Sequence, residues 1–305
     1  MLPYYSGAAL ALAASCFWSF APFFFAGAVG RVGASAANVV RLAFASIMLV
    51  GISLGYALFN HAAFAGVTRD ALLFLTLSGA LGLVIGDGFY FAALGKLGPR
   101  RTLQVLTLAP AVSASAAWFW LGERLGARAI AGMIIVMASI LAAALRERSA
   151  RATAEPGRFS RSGFLIAVTA TVCHGSAAVL IRKAYAVSPH LDTIAATTVR
   201  VSTAAIVICV AWILLGRIRQ ALGVLVNRPA LVALAWGSLL GPVAGMVLYV
   251  ASFKFAPAGI ASMLSSLSPL FIIPMSAMIY KTRINWYAAV CMLGALAGVA
   301  LIFWG

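Results

Sequence analysis

Ten nearly continuous apolar stretches dominate this chain, at about 6–28, 35–58, 71–94, 102–121, 128–145, 163–183, 192–215, 229–252, 258–280 and 285–304. Roughly 20 apolar residues, rising about 1.5 Å each, are what a helix needs to cross the hydrocarbon core of a bilayer. Strands of a membrane barrel would instead alternate apolar and polar residues over segments of about ten, and these runs do not alternate. Of the 305 residues, 64% are hydrophobic and 9% charged, against about a quarter charged in a soluble domain. Such a surface suits lipid. The expected fold class is all-α and integral to a membrane, with ten transmembrane helices joined by short connections. Met1 to Gly7 contains no basic residue, so the n-region of a cleaved signal is missing and the first run is read as a retained span.

The excess of 22 Lys and Arg over 6 Asp and Glu gives a formal charge of +16, which in a soluble chain would suggest nucleic acid. Here most basic residues fall between the apolar runs, where they act as topology signals, and no nucleic-acid partner is expected. Cys16, Cys173, Cys209 and Cys291 all lie inside apolar runs. They read as small packing residues, with neither a metal site nor a disulfide framework. No cofactor is expected.

One hydrophilic connection, at 146–162, is longer than the rest and divides the chain into units at 1–145 and 163–305. At a shift of 159 residues Arg41 meets Arg200, Gly82 meets Gly241, Gly86 meets Gly245, Tyr90 meets Tyr249, Pro110 meets Pro269 and Arg124 meets Arg283. A constant shift over more than 80 residues is the signature of an internal repeat. Each unit holds five spans, an odd number, so the second copy enters the membrane from the opposite side. Two inverted five-helix repeats are a usual construction of secondary transporters, in which a central site opens to either face as the halves rock.

Each half carries an Arg early in its second helix, a Gly-rich third helix ending in Tyr, a fourth helix with a central Leu-x-Pro, and a short basic turn into the fifth. Leu108-Ala109-Pro110 through Leu121-Gly122-Glu123-Arg124 resembles the EamA-type repeat of the drug/metabolite transporter superfamily. The second copy, Leu267-Ser268-Pro269 to Tyr280-Lys281-Thr282-Arg283, is similar but has Thr282 where the first has Glu123. The resemblance implies a ten-helix metabolite carrier, often an exporter, with a cavity lined by helices of both halves.

Connections after helices 1, 3, 5, 7 and 9 carry fourteen Lys and Arg, while the face bearing both termini carries Arg69, Arg124, Arg128, Arg182, Lys183 and Lys254. The positive-inside rule places the first set, including 146–162, in the cytoplasm and both termini outside. Most relatives of this kind keep their termini inside, so charge and resemblance disagree.

Ionisable groups within the hydrocarbon are expensive and usually functional, which singles out Arg41, Asp87, His174 and Arg200. Asp87, in Gly86-Asp87-Gly88, and Arg41 lie at similar depth from one face and are expected to pair. That pair is either a coupling device, broken as Asp87 takes up a proton or a substrate ammonium, or a permanent contact between helices 2 and 3. Arg200 has Met246 where Asp87 would stand. Its guanidinium either snorkels or binds carbonyls, or meets a substrate carboxylate or phosphate. His174, near the position matching Trp18, is either a bonded packing residue or a cavity residue that reads cargo or relays protons.

Small and hydroxyl residues recur at helical spacing: Ser15, Trp18, Ser19 and Pro22; Gln104, Thr107, Ala111 and Ser115; Ser262, Ser266 and Pro269, with Ser265 close by. Such stripes pack helices or line cavities. Candidate cavity residues are therefore Trp18, Ser19, Tyr90, Gln104, Thr107, His174, Arg200, Tyr249, Ser262, Ser265 and Ser266. Pro110 and Pro269 loosen their helices at matching depth. Gly82-x-x-x-Gly86 and Gly241-x-x-x-Gly245 are read as surfaces on which the halves rock, and Gly294-x-x-x-Gly298 as a packing face within the chain or in a dimer.

These features describe a secondary carrier of a small polar metabolite, an amino acid or related compound, in a bacterial inner membrane; the resemblance implies export, and proton coupling is expected if Asp87 and Arg41 form a coupling device and not a permanent contact. Its partners are a small-molecule substrate and the bilayer; monomer and homodimer both stay open. No Gly-x-x-x-x-Gly-Lys-Ser/Thr loop is present, so the chain does not carry its own ATP-driven motor. The alternatives are efflux of lipophilic cations, for which helix 1 offers no acid, and flipping of a lipid-linked sugar. A membrane enzyme would need a cluster of His, Asp, Glu or Cys near one face, which His61, His174, His190 and the scattered acids do not make.

Overall fold

The computed structural model describes residues 2–59, 64, 66–146, 160–280 and 285–304, and every regular element among them is helical. Most of the basic linker 146–162, the second-copy turn Lys281-Thr282-Arg283 and His61 lie outside the described residues.

The first half comprises α1 (Leu2–Val32), α2 (Ala34–Phe59), α3 (Arg69–Gly79), α4 (Asp87–Leu106), α5 (Ala109–Leu121) and α6 (Ala127–Arg146). The second comprises α7 (Arg161–Val187), α8 (Thr193–Leu214), α9 (Ile218–Val226), α10 (Arg228–Ser238), α11 (Met246–Phe255), α12 (Ala258–Ser265), α13 (Ser268–Tyr280) and α14 (Trp286–Phe303). Helix starts fall where a polar side chain can accept from an orphan backbone N–H: Thr68 caps α3, Ser160 caps α7, Asp192 caps α8, Asn227 caps α10 and Asn285 caps α14. The amphipathic helix α9 occupies what the hydropathy pattern leaves as a loop. Among the described residues nine helical stretches are long and apolar enough to cross a membrane, and Ala127–Ala143 is a shorter apolar helix.

Two features repeat at the sequence shift. A π-helical turn joins α3 to α4 at Ala80–Gly86, and another joins α10 to α11 at Leu239–Gly245. Wide turns of this kind interrupt α-helices mostly at functional positions. The fourth apolar run breaks at Thr107-Leu108 and the ninth at Ser266-Leu267, in each case just ahead of Pro110 or Pro269. The prolines cannot donate to the preceding turn, and neighbouring hydroxyls take up carbonyls at the breaks: Thr107 Oγ1 donates to Gln104 O at 2.6 Å and Ser266 Oγ to Ser262 O at 2.8 Å.

Contacts between the halves are reciprocal. Helix α1 packs along α10, the second π-turn and α11, as α7 packs along α3, the first π-turn and α4. Helix α2 meets α8, α5 meets α12, and α6 meets α14. Glycines make the closest approaches. A Cβ on Gly82 would lie 2.9 Å from Ala177 Cβ, and one on Gly241 would lie 3.0 Å from Ala21 Cβ. Gly86 abuts the His174 ring and Gly245 the Trp18 ring. Both glycine pairs thus mediate cross-half contact, which the sequence pattern suggested, while Gly298 packs within the chain against Gly132 and Val136.

Candidate functional site

Where the broken helices, the π-turns and α1, α2, α7 and α8 converge, they leave a cavity of about 510 Å³. Its wall is mainly apolar, with charged groups at two places. At one, Arg41 Nη2 donates to Asp87 Oδ2 at 2.9 Å and Arg41 Nε donates to Asn38 Oδ1 at 3.0 Å. The side chains of Arg41 and Asp87 stay 23% and 15% exposed, both toward the cavity they line. His174 Nε2 stands 3.6 Å from Asp87 Oδ1, beyond a good hydrogen bond. The pair expected from the sequence is therefore present, and His174 faces it from the other half.

At the second place Arg200 is buried, 4% exposed, and among the described residues no carbonyl accepts from it. Its Nε donates to Ser78 Oγ at 2.9 Å, Nη1 points to Met246 Sδ, and the guanidinium sits 6.0 Å above the Tyr249 ring. Ser78 in turn donates to Ala177 O at 2.7 Å. Trp18 donates through Nε1 to Gly241 O at 3.2 Å and its ring centroid lies 5.0 Å from that of Tyr249.

Thr107, Ser262, Ser265 and Ser266 also line the cavity, as do Trp18, His174, Arg200 and Tyr249. Three candidates stand elsewhere. Ser19 is fully buried between α1 and α13, where it donates to Cys16 O and contacts Met275. Tyr90 lies off the cavity wall, packed on Phe91 but close enough to Asp87 and Arg41 to interact with both. Gln104 faces an adjacent apolar groove of about 530 Å³ with Leu108, Ile134 and Met137, and Thr107 is shared between groove and cavity. No group of three or more His, Cys, Asp or Glu among the described residues could hold a metal ion.

One feature of the site escaped the sequence reading. Gly122, at φ 68°, ends α5 in the left-handed region that glycine favours and turns the chain so that Glu123 meets the second half. Arg182 Nε donates to Glu123 Oε1 at 2.6 Å, and Arg182 Nη1 donates to Phe253 O at 2.8 Å and Lys254 O at 3.2 Å. The N–H of Ala258 donates to Glu123 Oε2 at 2.8 Å. This clamp ties α5, α7, α11 and α12 together at one end of the cavity, about 12 Å beyond His174 along α7 by the helical rise. The signal in the sequence was the departure between copies, Glu123 against Thr282.

A profile of the EamA-like transporter family matches residues 5–145 and again 161–304. The chain belongs to the EamA-like transporter family. Members of that family, part of the drug/metabolite transporter superfamily, are membrane transporters. A solved crystal structure 18% identical to the chain superposes with a TM-score of 0.72, covering 98% of this chain and 96% of its own, and so shares the fold. Among curated proteins none matches the sequence.

Proposed function

We propose that this EamA-like chain is a secondary active transporter that exports a small polar metabolite, an amino acid or related compound, across a bacterial inner membrane by alternating access. The observation that carries this reading is the cavity of about 510 Å³ where the two halves meet, to which the first contributes Arg41 and Asp87 and the second His174 and Arg200. A binding site shared by two repeats is what rocking carriers use. Helix α6 is counted as the tenth span, its 20 residues reaching about 30 Å at 1.5 Å each. Five spans per half then invert the second copy. The reciprocal packing of α1 and α7 supports a two-fold relation between the halves, and the glycine contacts at the π-turns are the surfaces on which they rock.

Opening the end held by Arg182 and Glu123 requires that clamp to release. The second copy of the repeat has Thr282 where the first has Glu123, so its sequence offers no matching carboxylate. Proton coupling runs through Asp87: protonation removes its attraction for Arg41, freeing Arg41 in one conformation and not in the other. Reconstituted protein is expected to exchange labelled for unlabelled amino acids in counterflow, with the rate of net efflux rising with an opposing proton gradient. Asp87→Asn is expected to lose that dependence in whatever counterflow remains. A variant with the wild-type response to the gradient removes the coupling role, and the absence of counterflow for every metabolite tested removes the assignment.

The charge asymmetry supports a cytoplasmic linker 146–162 with both termini outside. A fluorescent protein that matures only in the cytoplasm is expected to stay dark when fused after Gly305. A bright fusion reverses the orientation.

A further inference from the structure

We infer that the cargo lies across the cavity in one orientation, its carboxylate on Arg200 and its ammonium on Asp87, so that the site selects zwitterions over acids or amines of the same shape. This rests on the transport reading above and specifies its substrate class.

Arg200 is buried and lines the cavity, yet among the described residues no carboxylate stands within 4 Å of it. Its described partners, the Ser78 hydroxyl, the Met246 thioether and the Tyr249 ring, are all neutral. A guanidinium removed from water without a counter-ion is costly, and a carboxylate entering the cavity supplies both the opposite charge and the planar acceptor that a guanidinium fits. Repeat symmetry sharpens the point. Arg41, the mate of Arg200, is neutralised by Asp87, and the mate of Asp87 is Met246. The second half therefore contains a cation with no carboxylate of its own half beside it; the acid it feels is Asp87 across the cavity, which Arg41 already pairs.

Asp87 has capacity of the opposite kind. Arg41 occupies Oδ2, while Oδ1 faces His174 at 3.6 Å, too long to count as satisfied. An ammonium donating to Oδ1 completes that carboxylate. The two ends are suitably spaced. Arg200 Nη2 lies over Gly82 and the His174 ring over Gly86, along one face of the first π-turn. Asp87 follows directly after Gly86 and interacts with both His174 and Arg200, so the two charged groups lie near enough for one small zwitterion to contact both. Trp18 and Tyr249 flank the Arg200 end, so a cargo side chain points toward the breaks at Thr107 and Ser266.

The test is thermal stabilisation of the purified full chain by each of the twenty common amino acids, since a ligand that binds the folded form raises its melting temperature. The strongest binder is then compared with its decarboxylated amine and its deaminated acid. Both analogues are expected to bind at least about tenfold more weakly, because each leaves one buried charge unmatched. Met246→Glu, which keeps Arg200 paired and so favours folding, is expected to lose amino-acid affinity by a similar factor and to bind the amine as well as the amino acid. An amine or acid that binds the wild-type chain as tightly as its parent overturns the orientation, as does unchanged amino-acid affinity in Met246→Glu. Stabilisation by none of the twenty while another solute shows counterflow overturns the inference and leaves transport standing. Failure of both assays removes both.

Discussion

Replacing Gly79 with alanine is expected to prevent correct assembly of the two halves. A Cβ built at this position lies 2.2 Å from the backbone oxygen of Arg200 and 3.2 Å from its carbonyl carbon. The obstacle is main chain on α8, so no side-chain rotation relieves it, and helices α3 and α8 must separate. Overpacking a tight interior site costs about 1–3 kcal/mol when side chains can shift; here the expectation is about 3 kcal/mol or more. At the repeat-related position the same approach is made by Ser238, whose Oγ donates to the backbone oxygen of Arg41 at 3.2 Å. The two halves thus solve one close contact differently, by absence of a side chain in one and by a hydrogen bond in the other. Size-exclusion profiles and melting curves in detergent measure the effect. Gly79→Ala is expected to lose most of its monodisperse fraction or to melt many degrees early, whereas Gly88→Ala, with nothing within 4 Å of the added carbon, stays near wild type. A Gly79→Ala protein with the wild-type melting temperature contradicts the close packing of α3 on α8.

The second large effect is expected from Glu123→Ala. The carboxylate accepts from Arg182 at 2.6 Å and from the Ala258 N–H at 2.8 Å, and the pair is mostly buried, at 27% and 15% side-chain exposure. Removal leaves a guanidinium with only the Phe253 and Lys254 carbonyls and exposes the first N–H of α12. Breaking a fully buried pair costs about 3–5 kcal/mol; partial exposure here lowers the expectation to roughly 2–4 kcal/mol. Because the clamp joins both halves at one end of the cavity, the loss falls on the state in which that end is shut. Glu123→Ala is therefore expected to melt several degrees early and also to raise labelling of Ser262→Cys from the face bearing the α5–α6 turn. A stability loss with unchanged labelling reduces the clamp to a packing contact.

Much of this arrangement is legible in the amino-acid order because the bilayer restricts what a chain can do. Long apolar runs must be helices, a charge inside one must find a partner or a cavity, and Pro110 and Pro269 loosen their helices at matching depth, near Thr107 and Ser266. Arg41 and Asp87 could be paired from depth alone. The π-turns could not, since one extra residue in a turn leaves no mark on composition or periodicity. Ser78 with Arg200 and Glu123 with Arg182 join segments far apart in sequence, and a single chain read in order does not say which faces meet. The misplaced candidates have another cause. Tyr249 lines the cavity and its repeat mate Tyr90 does not; Gln104 faces an outer groove, where its mate Met263 is fully buried. Equal positions in the repeats have unequal surroundings because the halves differ in side chains. Repeat symmetry in the sequence therefore overstates the symmetry of the cavity.

The central claim is that one cavity between the halves is reached from each side of the membrane in turn. Its direct test places a single cysteine at Ser266→Cys in a chain from which Cys16, Cys173, Cys209 and Cys291 have been removed, followed by labelling with a membrane-impermeant maleimide in right-side-out and in inverted vesicles. Labelling in both preparations, blocked in both by a transported solute, is the predicted result. Labelling in one preparation only, unchanged by any solute, contradicts it.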